Sequence, residues 1–541
     1  MKFFLSPVFR CAIEGTAETQ HCASEVHPKS GSDHVITTID EADDAGYKAK
    51  SSPRLLDRWL DAAVRFAGSA PVFLFIVAGL LTWALLGIRF GQSDVWVAAI
   101  SDVQAIMCYI FDSLLMRQLL REYSEQQEAM VQIQSRGTSH RRMLEAVKKK
   151  LGPEGIARAA ELCKGEPPLS PLDQGLDRAA GPFARLVIWS AKAFGHVTTV
   201  GLYWVGIFIW LGFGPHCGWS SRWQLYINDA TSALMILVFA FLACLRECFA
   251  DQTNICLDSI FKLDAKLERE LRRVSRDELP NLTVTIAPPK ESYLQMVIFY
   301  YADIIGTLVG IIILVLVVIA WVVVGPVFHF NNTWWLLIGT YAGLVGLFDS
   351  FVLRNIQSKV NEYVTEQVVC LEKQDMVLYS GLSVPIPRVQ LRPPSLSQRV
   401  SHYINTISSH LLMVVAGLIL TLGCIVASSA MKWSLTGQLI SNVPPSIIET
   451  FFMLILITGH NYAEKKLRAD LTDIYHRRQR LLAFVGHAEE IVECEEEVDS
   501  VKGVADSEKG KKAVGGRYRG RQMQMQMLPV AFKFLAVGLQ D

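Results

Sequence analysis

The sequence is poor in charged residues, which excludes an ordinary soluble enzyme. Only 19% of its 541 residues are Asp, Glu, Lys or Arg and 51% are apolar, whereas soluble proteins carry about 25% charged residues. The 52 basic and 52 acidic side chains cancel, so we expect no nucleic-acid partner. A Gly-x4-Gly-Lys-Ser/Thr pattern is absent, so ATP-driven pumping has no support. Charge is missing above all from long windows, which indicates a membrane protein.

Eight apolar stretches are long enough to cross a bilayer. A helix that spans about 30 Å of hydrocarbon needs roughly 20 apolar residues. Because backbone groups in lipid must satisfy their own hydrogen bonds, such stretches are helical. The sequence therefore predicts an all-α integral membrane protein with about eight transmembrane helices. The windows are 71–88, 95–116, 197–214, 226–245, 304–325, 334–353, 407–428 and 446–463.

Short connectors between these windows alternate with long polar segments. Basic clusters such as Arg141-Arg142 and Arg477-Arg478 lie in the long segments, and the short connectors hold few basic residues. By the positive-inside rule, the long segments and both termini are expected in the cytosol. Cys217 is the only cysteine in an outward connector, so no extracellular disulfide framework is predicted.

One two-helix unit recurs along the chain. A shift of 127 residues superposes two tryptophans and a glycine of the first unit on the second, and a shift of 238 superposes them on the third. Two crossings per unit give every copy the same orientation, as in parallel repeats related by an axis along the membrane normal. A solute path is expected near that axis, lined by the even-numbered helices. The matching residues are Trp83, Gly87, Trp96; Trp210, Gly214, Trp223; and Trp321, Gly325, Trp334.

The predicted organisation follows from these units. Each even helix continues as a charged amphipathic helix in the cytosol. One such continuation contains Arg121-Glu122-Tyr123-Ser124-Glu125, an Arg-Glu-x-x-Glu pattern that we discount as a metal site because it follows the span. We predict a disordered cytosolic segment at 1–54, repeats at 55–150, 183–275, 293–380 and 398–490, and a disordered cytosolic tail at 491–541.

Carboxylates within the predicted spans are the main functional candidates, because ionisable groups in lipid are costly. Asp112 and Asp349 recur in a Phe-Asp-Ser-x-x-x-Arg motif, and Glu449 lies at similar depth in the fourth unit. Asp112 lies about 15 Å along the helix from Asp102, which suggests a position near the midplane. Three carboxylates on three of the four even helices suit a divalent cation. The alternative is ion pairing across helices with Arg117 or Arg354.

A second group lies at the predicted outer ends of the even helices. Equivalent positions there read Asp102, Asp229, Thr340 and Asn442. All four are favoured N-cap residues, which is one interpretation. The other is a ring of oxygen atoms that receives an entering cation, and both can hold at different copies.

The cytosolic ends of the spans carry further candidates. Asp303 replaces a basic residue of the first two units and predicts a specialised site at the inner mouth. His196 and His410 occupy near-equivalent positions, and His460 ends the last span. Imidazole suits Fe²⁺, Cu²⁺ and Zn²⁺, whereas carboxylates alone suit Mg²⁺ or Ca²⁺. A purely structural role is the alternative for each histidine.

Several stretches of the first unit resemble one known family. Asp57-Arg58-Trp59-Leu60, Gly79 to Arg89, Ser101 to Ile106 and Phe111 to Gln118 are similar to the fungal low-affinity iron(II) permease family. The resemblance covers roughly 50–480 and is strongest in the first unit. It implies uptake of Fe²⁺ at the plasma membrane with modest selectivity that extends to copper and zinc. It supplies no metal-binding motif, so the candidate ligands rest on the membrane argument.

The expected function is low-affinity Fe²⁺ uptake along a path lined by carboxylates, with no resident cofactor and no enzymatic activity. A potential of 100 mV contributes about 2.3 kcal/mol per charge, hence about 4.6 kcal/mol for two. The expected partners are a divalent metal ion and the lipid bilayer, and no oligomer is implied. The alternatives are a cation channel of broad selectivity and a membrane-embedded oxidoreductase with haem on His196 and His410.

Overall fold

The computed structural model describes Phe9 and residues 11–20, 46–47, 55–91, 94–164, 181–330, 332–386 and 396–514. The chain forms two compact units, Met1–Ala488 and Glu489–Asp541. The first contains the helices discussed below and a two-stranded sheet.

The helices follow one order four times: a 13-residue helix, an apolar helix and a long helix. The first set is α1 (Leu55–Ala67), α2 (Ala70–Phe90) and α3 (Asp94–Lys164). The second is α4 (Pro182–Phe194), α5 (Val197–Phe213) and α6 (Ser221–Ser275). The third is α7 (Tyr293–Ile305), α8 (Leu308–Val324) and α9 (Asn332–Tyr379). The fourth is α10 (Leu396–Ser408), α11 (Leu411–Ala430), the short α12 (Leu435–Ile440) and α13 (Val443–Val514).

By length and composition, the described helices include six able to cross a membrane, or up to eight when two bent helix pairs each count as one span. The prediction of an all-α integral membrane protein is confirmed. Two predicted windows start too early. Window 304–325 runs across the 65° bend between α7 and α8, and window 407–428 runs across the N-cap His410. Hydropathy stays high through both breaks, so it cannot reveal them.

The repeated tryptophans stack where the apolar helix of a set meets its long helix. The Trp210–Trp223 ring centroids lie 3.9 Å apart, and those of Trp321–Trp334 lie 4.3 Å apart. Trp321 and Trp334 also donate their indole N–H groups to each other's carbonyl oxygens, at 3.1 and 2.8 Å. The pair Trp83–Trp96 stacks in the same way. The repeated tryptophans thus hold together the helical hairpins of the first three sets.

The four long helices pack into one bundle, and the apolar helices pack around it. Helix α3 lies beside α6 and α9. Helix α13 contacts α6 through Thr450 and Met235, and contacts α9 through Phe452 and Phe351. Each apolar helix packs on the long helix of another set: α2 on α6, α8 on α3 and α11 on α9. Helix α5 reaches α13 through the Tyr203 hydroxyl, which donates to the Ile447 carbonyl at 2.8 Å. The contacts therefore close a ring in the order first, second, fourth and third set.

Beyond the predicted spans, the long helices are held together by buried ion pairs. Arg478 of α13 bridges Asp264 of α6 at 3.1 Å and Asp375 of α9 at 2.9 Å. Arg136 of α3 pairs with Glu268 of α6 at 3.0 Å. Burial raises the pKa of Asp264, and Arg478 offsets part of that shift. All four long helices thus contribute to a charge network whose members depend on one another.

The predicted disorder at the N-terminus is wrong for residues 11–20. Strand β1 (Ile13–Gly15) pairs antiparallel with β2 (Val284–Ile286) between α6 and α7. The buried ring of Phe9 stacks on Phe299 at 4.3 Å. The segment is polar, but distant groups satisfy its backbone: Ser135, for example, accepts a hydrogen bond from the Ala17 amide.

The predicted disorder of the tail is wrong for 491–514, because α13 continues to Val514. The rest of both predicted disordered segments, including 21–45 and 515–541, lies outside the described residues.

Removing the central arginine of the ion-pair network is expected to destabilise the protein. Arg478→Ala leaves Asp264 and Asp375 buried beside fewer positive charges, so it should lower the free energy of unfolding by about 3–5 kcal/mol. Arg141→Ala, which breaks an exposed pair with Glu145, should cost no more than about 0.5 kcal/mol. Unfolding curves of the purified protein in detergent would measure both. Equal stability of the two variants would contradict the proposed role of the network.

Candidate functional site

The three predicted carboxylates converge inside the bundle. Asp112 of α3, Asp349 of α9 and Glu449 of α13 are 3%, 2% and 0% exposed. The carboxyl group of Asp112 lies within electrostatic reach of the other two. Within the described part of the chain, neither oxygen of Asp112 nor of Glu449 has a hydrogen-bond partner. Unpaired carboxylates in such a setting are costly, and a cation would compensate them.

The arginines that follow these acids bind elsewhere. Arg117 donates through Nε to Asp61 at 2.8 Å and lies 3.6 Å from Asp57. Arg354 donates through Nη2 to the carbonyl of Asn405 at 2.9 Å. The alternative in which Arg117 or Arg354 neutralises the buried acids is therefore wrong.

Asp349 has a partner that sequence reasoning missed. The Tyr301 hydroxyl of α7 donates a hydrogen bond to Asp349 Oδ1. From the sequence, Tyr301 is typical of a residue that anchors a helix at the membrane interface. Its position beside Asp303 is a weak signal, because the partner lies on another helix 48 residues away. Asp303 itself is buried on α7.

The acids lie deeper along the long helices than predicted. Asp112 and Asp349 follow the first residues of α3 and α9 by 18 and 17 positions, or roughly 25–27 Å at 1.5 Å per residue. Ser113, next to Asp112, donates to the Ile305 carbonyl at the break between α7 and α8. Asp112 is therefore level with the start of α8, and the position of the acids near the midplane of the bilayer stays a prediction.

Glycines on α9 make room for polar side chains of α13. A Cβ atom on Gly346 would lie 2.5 Å from Glu449 Oε1. Cβ atoms on Gly339 and Gly343 would lie 3.2 and 3.3 Å from atoms of the Asn442 side chain. Because these glycines have no side chains, α13 can place the Glu449 carboxylate against the α9 backbone.

Three residues of the predicted outer group do not cap helices. Asp102, Asp229 and Thr340 each lie eight positions after the first residue of α3, α6 and α9, so the N-cap interpretation is wrong for them. Asn442 directly precedes α13. All four are buried, and each has a side-chain polar atom without a hydrogen-bond partner among the described residues. Asp102, Asp229 and Thr340 each lie about 12 Å along their helices.

Further polar side chains fill the interval between the outer group and the acids. Asn228 donates to Ser101 Oγ at 2.5 Å, and Ser232 donates to Gln104 Oε1 at 3.2 Å. All four are buried. Sequence reasoning missed Gln104 and Asn228, although both adjoin the outer group along their helices. Together with the acids, these residues form a polar column inside the bundle.

A cavity of about 420 Å³ lies beyond the acids, toward the long extensions of α3 and α9. Its lining includes Arg354, His460, Glu122, Arg246 and Glu464. Arg246 donates to Glu122 Oε2 at 2.7 Å, and the Nε2 atom of the buried His460 has no partner in the described part of the chain. Burial raises the pKa of Glu464 to about 7, with a further contribution from Glu122. The Arg-Glu-x-x-Glu pattern, discounted from the sequence, thus contributes Glu122 to a cavity.

The other predicted histidines lie at helix starts. His196 and His410 are exposed, and their Nδ1 atoms accept backbone N–H groups of Thr198 at 3.3 Å and Leu412 at 3.2 Å. Across the described ranges, no three His, Cys, Asp or Glu side chains are grouped so as to hold one metal ion. An ion among the acids would therefore need donors of other kinds as well.

Comparison with known proteins assigns the chain to a family. A family model described as low affinity iron permease matches residues 183–281, 295–369 and 397–513, together more than half of the chain. The chain belongs to the low-affinity iron permease family. This confirms the resemblance read from the sequence. The matched segments correspond to the second, third and fourth helix sets of this family member, whereas the quoted motifs lie in the first.

Two fungal relatives align with most of the sequence of this permease. The low-affinity iron/zinc ion transport protein of Schizosaccharomyces pombe is 33% identical over 433 residues, which is 79% of this chain and 73% of the relative. The low-affinity Fe(2+) transport protein of Saccharomyces cerevisiae is 32% identical over 457 residues, which is 79% of this chain and 83% of the relative. No solved structure matches the chain.

A side chain at Gly346 is expected to displace the buried carboxylate of Glu449. Gly346→Ala places a methyl group against Glu449, whose flexible carboxylate must move, so metal uptake should fall while the protein still reaches the membrane. Gly201→Ala is the matched control, because a Cβ atom there meets nothing within 4 Å. Radio-iron uptake in an iron-uptake-deficient yeast, normalised to surface protein, would compare them. Equal uptake by the two variants would show that transport does not depend on the space at Gly346.

Proposed function

We propose that the protein takes up Fe²⁺ with low affinity at the plasma membrane and conducts it along the polar column of the bundle. The relatives are named as low-affinity Fe²⁺ and iron/zinc transport proteins, which supports iron and zinc as substrates. Copper is a further expected substrate, because the donor types suit borderline metal ions. The observation that carries the proposal is the pair of unpartnered carboxylates, Asp112 and Glu449, buried within the bundle.

The column supports an order of events. An ion enters from the side of the short connectors and meets the oxygen atoms of Asp102 and Asp229. It then passes the polar layer around Gln104 and reaches the acids. The cavity lined by His460 and Glu464 is the proposed release chamber. Basic residues concentrate in the long polar segments, which favours a cytosolic position for the chamber and both termini.

The chemistry of the column favours transport over redox catalysis. A haem iron bound between two histidines requires their rings to face one buried site, whereas His196 and His410 are exposed and cap α5 and α11. We therefore infer that the protein is a permease without enzymatic activity, as other members of its family are described.

Neutralising the acids is expected to impair uptake. Asp112→Asn, Asp349→Asn and Glu449→Gln each remove a charge that offsets the ion's lost hydration. Each should lower Fe²⁺ uptake on the order of tenfold, the effect of about 1.4 kcal/mol. Glu145→Gln, an exposed carboxylate outside the column, is the control and should leave uptake unchanged. Radio-iron uptake per surface protein is the measurement. Normal uptake in all three single variants would refute the proposal that the ion passes along the polar column.

Membrane depolarisation is expected to slow uptake. Each 100 mV contributes about 4.6 kcal/mol to the inward movement of a doubly charged ion. Initial rates of radio-iron uptake should therefore fall when yeast cells are depolarised with external potassium and valinomycin, with ATP levels held constant. Zn²⁺ should compete under both conditions. A rate that follows ATP and ignores the potential would exclude this driving force.

A further inference from the structure

Two sulfur atoms lie in the polar column, immediately before the acids. Cys108 and Met235 are 3% and 0% exposed. Gln104 donates through Nε2 to Cys108 Sγ at 3.3 Å and approaches Met235 Sδ at 4.0 Å. The side-chain amide of Gln104 thus contacts both sulfur atoms and bridges α3 and α6.

The chain places Cys108 on the same helix face as one of the acids. Gln104, Cys108 and Asp112 follow one another at intervals of four residues on α3, so they form a stripe along one face. The Cys108 thiol is within electrostatic reach of both Asp112 and Glu449. The thiol therefore borders the acids, at a point where the apolar core of the bundle meets them.

Met235 receives polar contacts that ordinary core packing does not provide. The Thr450 hydroxyl of α13, one residue after Glu449, lies 3.3 Å from Met235 Sδ, and its shorter hydrogen bond goes to the Ser446 carbonyl at 2.7 Å. A methionine in a hydrocarbon core is surrounded by apolar atoms and fills gaps. Here the thioether sulfur faces an amide and a hydroxyl from two other helices, in the layer next to the unpaired carboxylates.

We propose that Cys108 and Met235 are metal ligands that set the selectivity of the column. This inference rests on the proposed function, because it assumes that the ion passes the acids. Thiolate and thioether donors favour borderline and soft transition-metal ions, whereas oxygen donors alone favour Mg²⁺, Ca²⁺ and Mn²⁺. Two sulfurs beside two carboxylates therefore favour Fe²⁺, Zn²⁺ and copper over the abundant hard cations. Among the described residues no three His, Cys, Asp or Glu side chains surround one position, so the sulfurs and the acids are proposed to contact the ion in succession.

Competition between metals tests the proposal in intact cells. In an iron-uptake-deficient yeast, Cd²⁺ serves as the soft competitor of radio-iron uptake and Mn²⁺ as the hard one. Cys108→Ser and the volume-conserving Met235→Leu should each weaken Cd²⁺ inhibition about tenfold, the effect of about 1.4 kcal/mol. Inhibition by Mn²⁺ should stay within about twofold of the unchanged protein. Cys424→Ser, a buried thiol on α11 outside the column, should change neither.

A spectroscopic measurement provides a readout apart from uptake. Titration of the purified full-length protein with Cd²⁺ should produce the ultraviolet thiolate-to-metal charge-transfer absorption. Exposed thiols such as Cys217 and Cys370 also bind Cd²⁺, so the band should keep its intensity in Cys424→Ser and lose the contribution of one thiol in Cys108→Ser. Its absence in the unchanged protein, or an equal intensity in Cys108→Ser, would overturn the sulfur site.

The sulfur ligands and the transport path can be refuted separately. If Asp112→Asn and Glu449→Gln impair uptake while the ratio of Cd²⁺ to Mn²⁺ inhibition is unchanged in both sulfur variants, the sulfur ligands are refuted and the transport path stands. If the acid variants transport normally, the path itself is refuted. If Cys108→Ser fails to reach the membrane, Met235→Leu decides, since it keeps the side-chain volume and removes only the sulfur.

Discussion

Buried carboxyl groups without partners inside the helix ring are the constraint on which the rest of the structure depends. Asp112 and Glu449 are buried without hydrogen-bond partners in the described part of the chain, at a cost that the fold must offset elsewhere. The nearby arginines do not offset it, because Arg117 is engaged by Asp57 and Asp61. A few turns further along the same helices the opposite arrangement is found: Arg478 is buried between two aspartates. Buried acids are thus paired with arginine around Arg478, where the pairs stabilise the fold. Asp112 and Glu449 are left unpaired, where a cation can take the place of the arginine.

The four helix sets are alike in order but differ in the residues at the level of the acids. Phe239 and Phe452 occupy the positions equivalent to Asp112 and Asp349, and Phe452 packs on Phe351 at 4.2 Å. Two acids and two aromatic rings therefore share one level, and Glu449 adds a carboxylate one turn away. Four identical subunits would be forced to repeat one residue at all four positions. Fusion into one chain permits an asymmetric site in which each long helix contributes its own combination of oxygen, sulfur and aromatic groups.

Much of the fold and part of the site could be predicted from the sequence. Hydropathy and the spaced tryptophans identify the spans and the repeated unit because both signals are local. The acids stand out because charge is rare in apolar windows. The partners of those groups could not be predicted: Tyr301 reaches Asp349, and Gly346 makes room for Glu449, only because distant helices pack side by side. The N-cap interpretation failed because α3 begins at Asp94, as the window from residue 95 predicts, and not near Asp102.

The ring order has a consequence for the route of the chain. Neighbours in the ring are the first and second, second and fourth, fourth and third, and third and first sets, so the second and third sets stand diagonally opposite. The chain must pass from Ser275 to Tyr293 between these two opposite sets, and this stretch, which contains β2, runs beside α3 of the first set, where Ser135 donates to the Leu282 carbonyl. Strand β1, from the start of the chain, pairs with β2 there. The N-terminal strand thereby holds in place, against α3, a link between two helix sets that are not neighbours in the ring.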